Sequence, residues 1–214
     1  MSIELGLLLA GVTTASEIVD RSLKIVTSIR SGLGGGNNAA KQDLQDELDK
    51  LQSSLAALGV LAEAADAYLE ALEEVRRLDV EALLLEQYLE HSRHALQNHL
   101  DPTYEAAWQT AGQMLDVVDR NRGLALEVHL TRKRFFDRAD DEMIGSRLND
   151  VNGAYTSLAE RLKARRYDDF HAGVASLRDP IRKVDSLLHN TLTVKILTPL
   201  RKLQPVPSGT TTNE

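Results

Sequence analysis

The chain of 214 residues contains no cysteine. This absence excludes disulfide bridges, thiolate zinc sites and cysteine nucleophiles together, and it suits a protein of the reducing cytoplasm. Size does not demand a substitute for them, because a chain of this length can bury a substantial apolar core without a structural metal. We therefore expect a cytoplasmic protein that folds as one domain.

Aromatic side chains are also scarce, at 4 % of the residues. Few rings are available to stack on bases, so DNA is not expected as a partner. The acidic excess is uneven, since residues 1–100 carry a net charge of −8 and residues 101–214 a net charge of +1. Only the second half of the chain therefore offers a surface to an anionic partner.

Strand-like alternation of useful length is missing as well, and apolar residues recur instead in steps of three and four throughout the chain. This spacing predicts an all-α protein, an elongated and mostly antiparallel bundle of about five long helices with coiled-coil-like packing. The expected helices cover 3–31, 39–77, 79–121, 123–166 and 168–198. Residues 1–203 would form a single domain, and 204–214, with two prolines and small polar side chains, a flexible tail.

The predicted core follows from the seams of these helices. The longest seam consists of Leu44, Leu48, Leu51, Leu55, Leu58, Ala62, Ala65, Leu69 and Leu72. Further seams are Tyr104, Trp108, Ala111, Leu115 and Val118; Ile144, Leu148, Val151, Tyr155, Leu158 and Leu162; and Phe170, Val174, Leu177, Ile181, Val184 and Leu188. The first helix has Leu5, Leu8, Val12, Ala15, Val19, Val26, Ile29 and Leu33, with Ser22 as the exception.

Glycine, asparagine and proline mark the expected helix ends. The run Gly34–Gly36, followed by two asparagines, predicts a flexible turn after the first helix. Asp79 can cap a new helix, and Asn121–Gly123 is typical of a helix end. Pro102 and Pro180 each follow an aspartate, which favours a kink or a short restart, although a cap followed by a first-turn proline fits too.

The first helix has an apolar surface that a plain bundle does not need. From Leu5 to Ser16 no residue is charged, and Leu7 and Leu9 lie outside the seam. A signal peptide is disfavoured because Glu4 stands where basic residues would be expected, and the helical pattern continues through the would-be cleavage zone. The stretch also falls short of the ~20 apolar residues that span a bilayer. We expect this surface to be central in the bundle, covered by a partner, or in contact with lipid.

The opening LGLLLAGVTTASEIVDRSLKIV, a loop, and then the leucine-rich LQDELDKLQSSLAALGVLAE resemble the start of HeLo and HeLo-like domains, which are helical cell-death modules. The resemblance covers about the first 65 residues. It implies a defence or cell-death effector that self-associates and whose first helix is released and inserts into membranes on activation. The implied membrane-active or partner-contact surface is Leu5, Gly6, Leu7, Leu8, Leu9 and Gly11.

Catalytic patterns are few. The Glu-x-x-His pairs of a di-iron bundle are absent, and Glu86, Glu90 and His94 are a solvated polar face or at most a weak surface metal site, so we expect no metal and no cofactor. An arginine separated from a histidine by four to six residues resembles the motif of HEPN-type ribonucleases, in which arginine would hold phosphate and histidine would transfer protons. Arg166 with His171 is the best-placed pair. Other arginine and histidine pairs are Arg122 with His129 and Arg93 with His99.

A basic run with two adjacent phenylalanines is the remaining candidate site. It consists of Arg132, Lys133, Arg134, Phe135, Phe136 and Arg138. It could contact anionic lipid, nucleic acid or an acidic protein. Two adjacent residues of a helix cannot both point into one narrow seam, so the alternative is one phenylalanine in the core and one half-buried beneath arginine stems.

Two functional hypotheses follow. The first is a non-enzymatic interaction module, a scaffold or adaptor that binds itself or another protein, with membrane activity as its sharper form. The second is a HEPN-like ribonuclease, and only this alternative predicts an RNA partner.

Overall fold

The computed structural model describes residues 19–27, 29–30 and 38–198. Over these residues the chain is helical and contains no strand, so the predicted all-α bundle is confirmed. The predicted tail, 204–214, lies outside the described residues.

Within the described residues, six helices follow one another. Helix α1 is described at residues 19–27 and 29–30. The others are α2 (Asn38–His91), the short α3 (Arg93–Gln97), α4 (Tyr104–Arg132), α5 (Arg138–Ala164) and α6 (Tyr167–Thr191). A 3₁₀ turn at Lys133–Phe135 links α4 to α5, and α6 continues as a π-helix at Leu192–Leu197.

Helix α2 has 54 residues and, at ~1.5 Å per residue, is about 80 Å long. The predicted break at Asp79 is therefore wrong. The carboxylate of Asp79 does not cap a helix but accepts a hydrogen bond of 3.1 Å from Nε of Arg178 on α6. Leu78 and Ala82 on either side are buried, so packing favours continuing the helix.

Helix α4 likewise continues through the predicted end at Asn121–Gly123. A glycine inside a helix costs about 1 kcal/mol relative to alanine, and the buried Val118 and Ala125 on either side offset that cost. The chain turns later, where Phe136 adopts an extended conformation and the Asp137 side chain caps α5 by accepting from the Asp140 backbone N–H at 2.9 Å.

The two prolines behave differently. Pro102 lies in the turn between α3 and α4, where the Asp101 carboxylate accepts a hydrogen bond from the Thr103 backbone N–H at 2.8 Å. Pro180 lies inside α6 and starts no new helix. Leu177 and Ile181 beside it are buried, so packing compensates for the backbone hydrogen bond that proline cannot donate.

The buried apolar side chains of the described residues form two separate clusters. The larger one joins the second half of α2 with α4, α5, α6 and the π-helix, and contains the predicted seams of α4 and α6. The smaller one joins α1 to the first half of α2 through Val19, Val26, Leu48 and Leu55, with Leu23 and Leu58 half-buried against them. The first half of α2 therefore packs in a hairpin with α1 instead of in the main core.

Candidate functional site

The residues that the first-helix hypothesis singles out, Leu5, Gly6, Leu7, Leu8, Leu9 and Gly11, lie outside the described residues. Their predicted contact with a membrane or a partner stays a prediction. Among the helices at 19–30 and 38–198, none is long and apolar enough to cross a membrane.

The described part of α1 runs antiparallel to α2. At one end Nη1 of Arg30 lies 3.2 Å from Oε1 of Gln52 and 3.3 Å from Oδ1 of Asp49. At the other end Gly59 faces Val19, where a Cβ on the glycine would lie 3.6 Å from Cγ1 of Val19, an ordinary van der Waals contact. A small apolar core and the contacts of Arg30 with Gln52 and Asp49 join the two helices of this α1–α2 hairpin.

One side of the α1–α2 hairpin is apolar and open. The side chains of Ile25, Ile29 and Leu51 are 59 %, 46 % and 49 % exposed. At 100° per residue, Ile25 and Ile29 lie on one flank of the α1 seam, and Leu51 on the matching flank of α2. We call these three residues the hairpin face. Val60, 66 % exposed, lies on the opposite flank of α2.

The hairpin face also corrects the predicted core. Spacing places Ile29 and Leu51 in buried seams, and that prediction is wrong for these two residues. The apolar face of α1 and that of the first half of α2 are each wide enough to contact two neighbouring helices. Among the described residues, each of these faces contacts only one helix. The face is what a third helix would cover.

The basic run is divided between core and surface. Phe136 is buried, with its ring edge-on to Tyr68 at 4.7 Å and stacked with His129 at 5.9 Å. Phe135 is half-buried beneath the guanidinium of Arg134, 4.6 Å from the ring centre. This arrangement is the one expected if the phenylalanines serve packing.

The charged members of the run point to different neighbours. Nε of Arg132 donates to Glu70 of α2 at 2.6 Å, and Arg138, 93 % exposed, pairs with Glu142 at 2.9 Å. Lys133 is exposed in the 3₁₀ turn. Contact of the run with an anionic partner stays a prediction, and Arg132 would have to leave Glu70 to take part.

A buried polar cluster lies beside this turn. Asp140 is 2 % exposed, and its Oδ2 accepts hydrogen bonds from the Tyr68 hydroxyl and, at 2.8 Å, from Nζ of Lys195. Lys195 also donates to Asp137, the cap of α5. The cluster ties the start of α5 to α2 and to the π-helix, an uncommon element that is frequent at functional sites.

These contacts shift the titration of their members. Burial raises the pKa of the Tyr68 phenol, and its hydrogen bond to Asp140 raises it further. Hydrogen bonds to Asp137 and Asp140 raise the pKa of Lys195, and the bond from Lys195 lowers the pKa of Asp137. The lysine is therefore charged and the phenol neutral at physiological pH, which suits an ion-paired structural tie better than proton transfer.

His129, one of the candidate catalytic residues, is only 6 % exposed. Its Nε2 lies 3.3 Å from Oδ1 of Asp141, and its Nδ1 has no hydrogen-bond partner among the described residues. A Cβ on Gly145 would lie 3.3 Å from Nε2, so the glycine makes room for the ring. Burial lowers the pKa of His129, against the opposing effect of Asp141.

Arg122, the partner predicted for His129, is engaged elsewhere. Its guanidinium donates to Asp119 at 2.6 Å and to Asn152, and lies 4.8 Å from the ring centre of Tyr155. These contacts use the groups that would hold a phosphate. No contact joins Arg122 to His129 among those of the described residues.

The other pair, Arg166 and His171, lies at the opposite end of the bundle, at the start of α6. Arg166 is exposed and lies 3.8 Å from Asp169. His171 stacks on Tyr167 with ring centres 5.6 Å apart, and its Nε2 lies 3.9 Å from Oε1 of Glu90. No contact joins Arg166 to His171 in the described part of the chain, and the ribonuclease hypothesis stays a prediction.

Sequence reasoning missed the buried polar cluster. The pattern Asp137-Arg-Ala-Asp140 could have indicated a capped helix start, since an acidic residue three positions after a capping aspartate is a common N-terminal arrangement. Tyr68 and Lys195 lie 72 and 55 positions away from Asp140, and no local pattern connects them.

Metal ligands do not converge in the described residues, where no three histidine, aspartate or glutamate side chains are grouped to hold an ion. Comparison with protein families, curated proteins and solved structures finds no match to this chain. The candidate site with the clearest geometry is the hairpin face.

Proposed function

We propose that the protein is a non-enzymatic helical interaction module that self-associates through the hairpin face. The observation that carries the proposal is the exposure of Ile25, Ile29 and Leu51 on one side of a hairpin whose own core is small. Covering such a face removes apolar surface from water at about 25 cal/mol per Å². A helix pair brought against it would complete a four-helix arrangement.

A second copy of the chain is the occupant that the charges favour. Residues 19–30 contain three basic and one acidic side chain, a net charge of +2, and residues 38–61 contain two basic and four acidic ones, a net charge of −2. Two hairpins related by a two-fold axis can place α1 of one copy against α2 of the other, so that opposite charges flank the apolar contact. The described overlap of α1 with α2 is short, so we expect an affinity in the micromolar range.

Leu51→Glu tests this contact, with Val60→Glu as the matched control. Both change an exposed apolar residue of α2 to glutamate, but only Leu51 belongs to the hairpin face. Sedimentation equilibrium over ~1–500 µM protein should show a dimer that Leu51→Glu weakens at least tenfold, because the contact would bury a charge. Val60→Glu should stay within twofold of the unchanged protein.

Far-UV circular dichroism and urea unfolding establish that both variants fold, which is expected because neither position lies in the main core. A wild-type protein that stays monomeric over the whole range contradicts the proposal. Equal weakening by both variants contradicts it too, since general charge repulsion would then explain the loss.

Membrane activity is the finer form of the proposal. Its support is the absence of charge from Leu5 to Ser16 in the sequence, together with the exposure of Ile25 and Ile29 on α1. If the protein is membrane-active, association through the hairpin face would bring the first helices of several copies together on a bilayer.

A further inference from the structure

A groove of about 470 Å³ lies between α5 and α6, apart from the residues of the hairpin face. We propose that this groove binds a small phosphate monoester with an apolar substituent. The inference is independent of self-association, because it depends on different helices and different side chains.

Three cations line the groove against one carboxylate: Arg147 from α5, Arg182 and Lys183 from α6, and Asp179. The charged side chains of the lining, taken alone, have a net charge of +2 in a chain whose net charge is −7. Cations from two helices facing one concave space can contact an anion from more than one side. This distinguishes the groove from a charged stripe on a single helix.

Arg182 is the least neutralised of the three. Its side chain is 62 % exposed, and its carboxylate partner, Asp79, is 3.9 Å from its Nε. That carboxylate is already held by Arg178, whose Nε lies 3.1 Å from the same oxygen. Arg182 therefore has a charge that an incoming anion could satisfy at little cost.

The other two cations are paired only within their own helices. Arg147 lies 3.3 Å from Asp150 and Lys183 lies 2.6 Å from Asp179, and all four side chains are about half exposed or more. Exposed pairs of this kind contribute roughly 0–1 kcal/mol. A ligand with two negative charges could take the place of the carboxylates in these pairs.

Phosphate is the anion that suits these donors. Arginine and lysine from two directions, with the hydroxyls of Ser146 and Ser186 in the lining, offer more donors than one planar carboxylate can use. A tetrahedral phosphate has three oxygens that can accept from separate directions.

The apolar part of the ligand is inferred from the rest of the lining. Met143, 47 % exposed, and Leu187 border the groove beside the cations. A flexible thioether adapts to alkyl chains of different shape. The groove therefore combines an anion end with an apolar end, and its volume suits a small molecule.

Isothermal titration calorimetry with octyl phosphate below its micelle concentration, and with inorganic phosphate, tests the proposal on the full chain. Octyl phosphate should bind at least fivefold more tightly than inorganic phosphate. Arg182→Gln should weaken octyl phosphate about tenfold, the loss of one charge-assisted hydrogen bond. Met143→Ser should weaken octyl phosphate but leave inorganic phosphate unchanged.

Arg77→Gln is the control, because Arg77 is an exposed arginine on α2 that pairs within its own helix and does not line the groove. Equal losses in Arg77→Gln and Arg182→Gln would overturn the proposal, as would absence of binding at millimolar ligand or equal affinity for the two phosphates. Vesicles of phosphatidylcholine with one fifth phosphatidic acid form a separate arm. Binding to the vesicles without binding to free octyl phosphate would also overturn it.

Discussion

Gly173 on α6 offers the sharpest test of how the main core is packed. A Cβ placed there would lie 2.8 Å from Cδ1 of Leu158 and 3.1 Å from Cδ of Arg161, both on α5. Gly173→Ala gains about 1 kcal/mol of helix propensity. Overpacking of a dense core costs about 1–3 kcal/mol, and Leu158 is completely buried, so it cannot move aside into solvent. We expect a net destabilisation of about 1 kcal/mol.

Gly153→Ala on α5 is the matched control, because a Cβ there meets nothing within 4 Å and the position is exposed. It should stabilise the protein by about 0.5–1 kcal/mol, the propensity gain alone. Urea unfolding followed by circular dichroism at 222 nm measures both changes as shifts of the midpoint in opposite directions.

Repeating Gly173→Ala in a Leu158→Ala protein separates the steric contact with Leu158 from other effects of the substitution. In Leu158→Ala, which is itself destabilised, the obstructing methyl group is gone, so adding Gly173→Ala should become neutral or stabilising. The reasoning is refuted if Gly173→Ala stabilises the unchanged protein as much as Gly153→Ala does. It is also refuted if the cost of Gly173→Ala is the same with and without Leu158.

Three further predictions concern the buried polar cluster, His129 and the first helix. Tyr68→Phe removes a hydrogen bond to the buried Asp140 carboxylate and should lower the free energy of unfolding in urea by about 1.5–3 kcal/mol. Tyr88→Phe removes a hydrogen bond to the neutral Ala107 carbonyl and should lower it by less. The pKa of His129 in the folded protein lies below its ordinary value of about 6.5, so the unfolded chain binds the proton first as the pH falls. The free energy of unfolding should therefore decrease from pH 7.5 to 5.5, and His129→Leu should reduce that decrease; an unchanged pH dependence in this variant would contradict the assignment. Purified protein should release dye from anionic liposomes if the first helix is membrane-active, and Leu8→Glu should abolish release while circular dichroism shows retained folding; absence of release at any concentration would contradict that form of the proposal.

Spacing alone predicted the all-helical class and most of the core. The seams of α4 and α6, from Tyr104 to Val118 and from Phe170 to Leu188, are buried as the three-four pattern requires. The reason is geometric: residues three or four apart share one face of a helix, and a helix with one apolar face must bury it. Only Phe136 of the two adjacent phenylalanines is buried, as one of the two alternatives expected, but the two lie in a 3₁₀ turn and an extended link and not on the helix from which that expectation was argued.

Helix ends were predicted less well. Asp79 and Gly123 have the composition of helix ends but lie inside helices, because the cost of one unfavourable residue is small beside the packing of the buried seam around it. The turn between α4 and α5 has no glycine or proline, and it depends on the capping side chain of Asp137. The helix propensity of single residues therefore could not show at which of these positions a helix ends.

The sequence by itself determined the all-helical class, the face of each helix that carries its apolar residues, and the absence of charge from Leu5 to Ser16. Only the tertiary structure decided which seams find partners. It buries Asp140 against Tyr68 and brings Lys195 to the same carboxylate, although these residues are distant in sequence. It leaves Ile29 and Leu51 exposed although they have the same spacing as buried residues. The physical reason is that periodicity fixes the direction of a side chain from its own helix, whereas burial depends on which other helix lies in that direction.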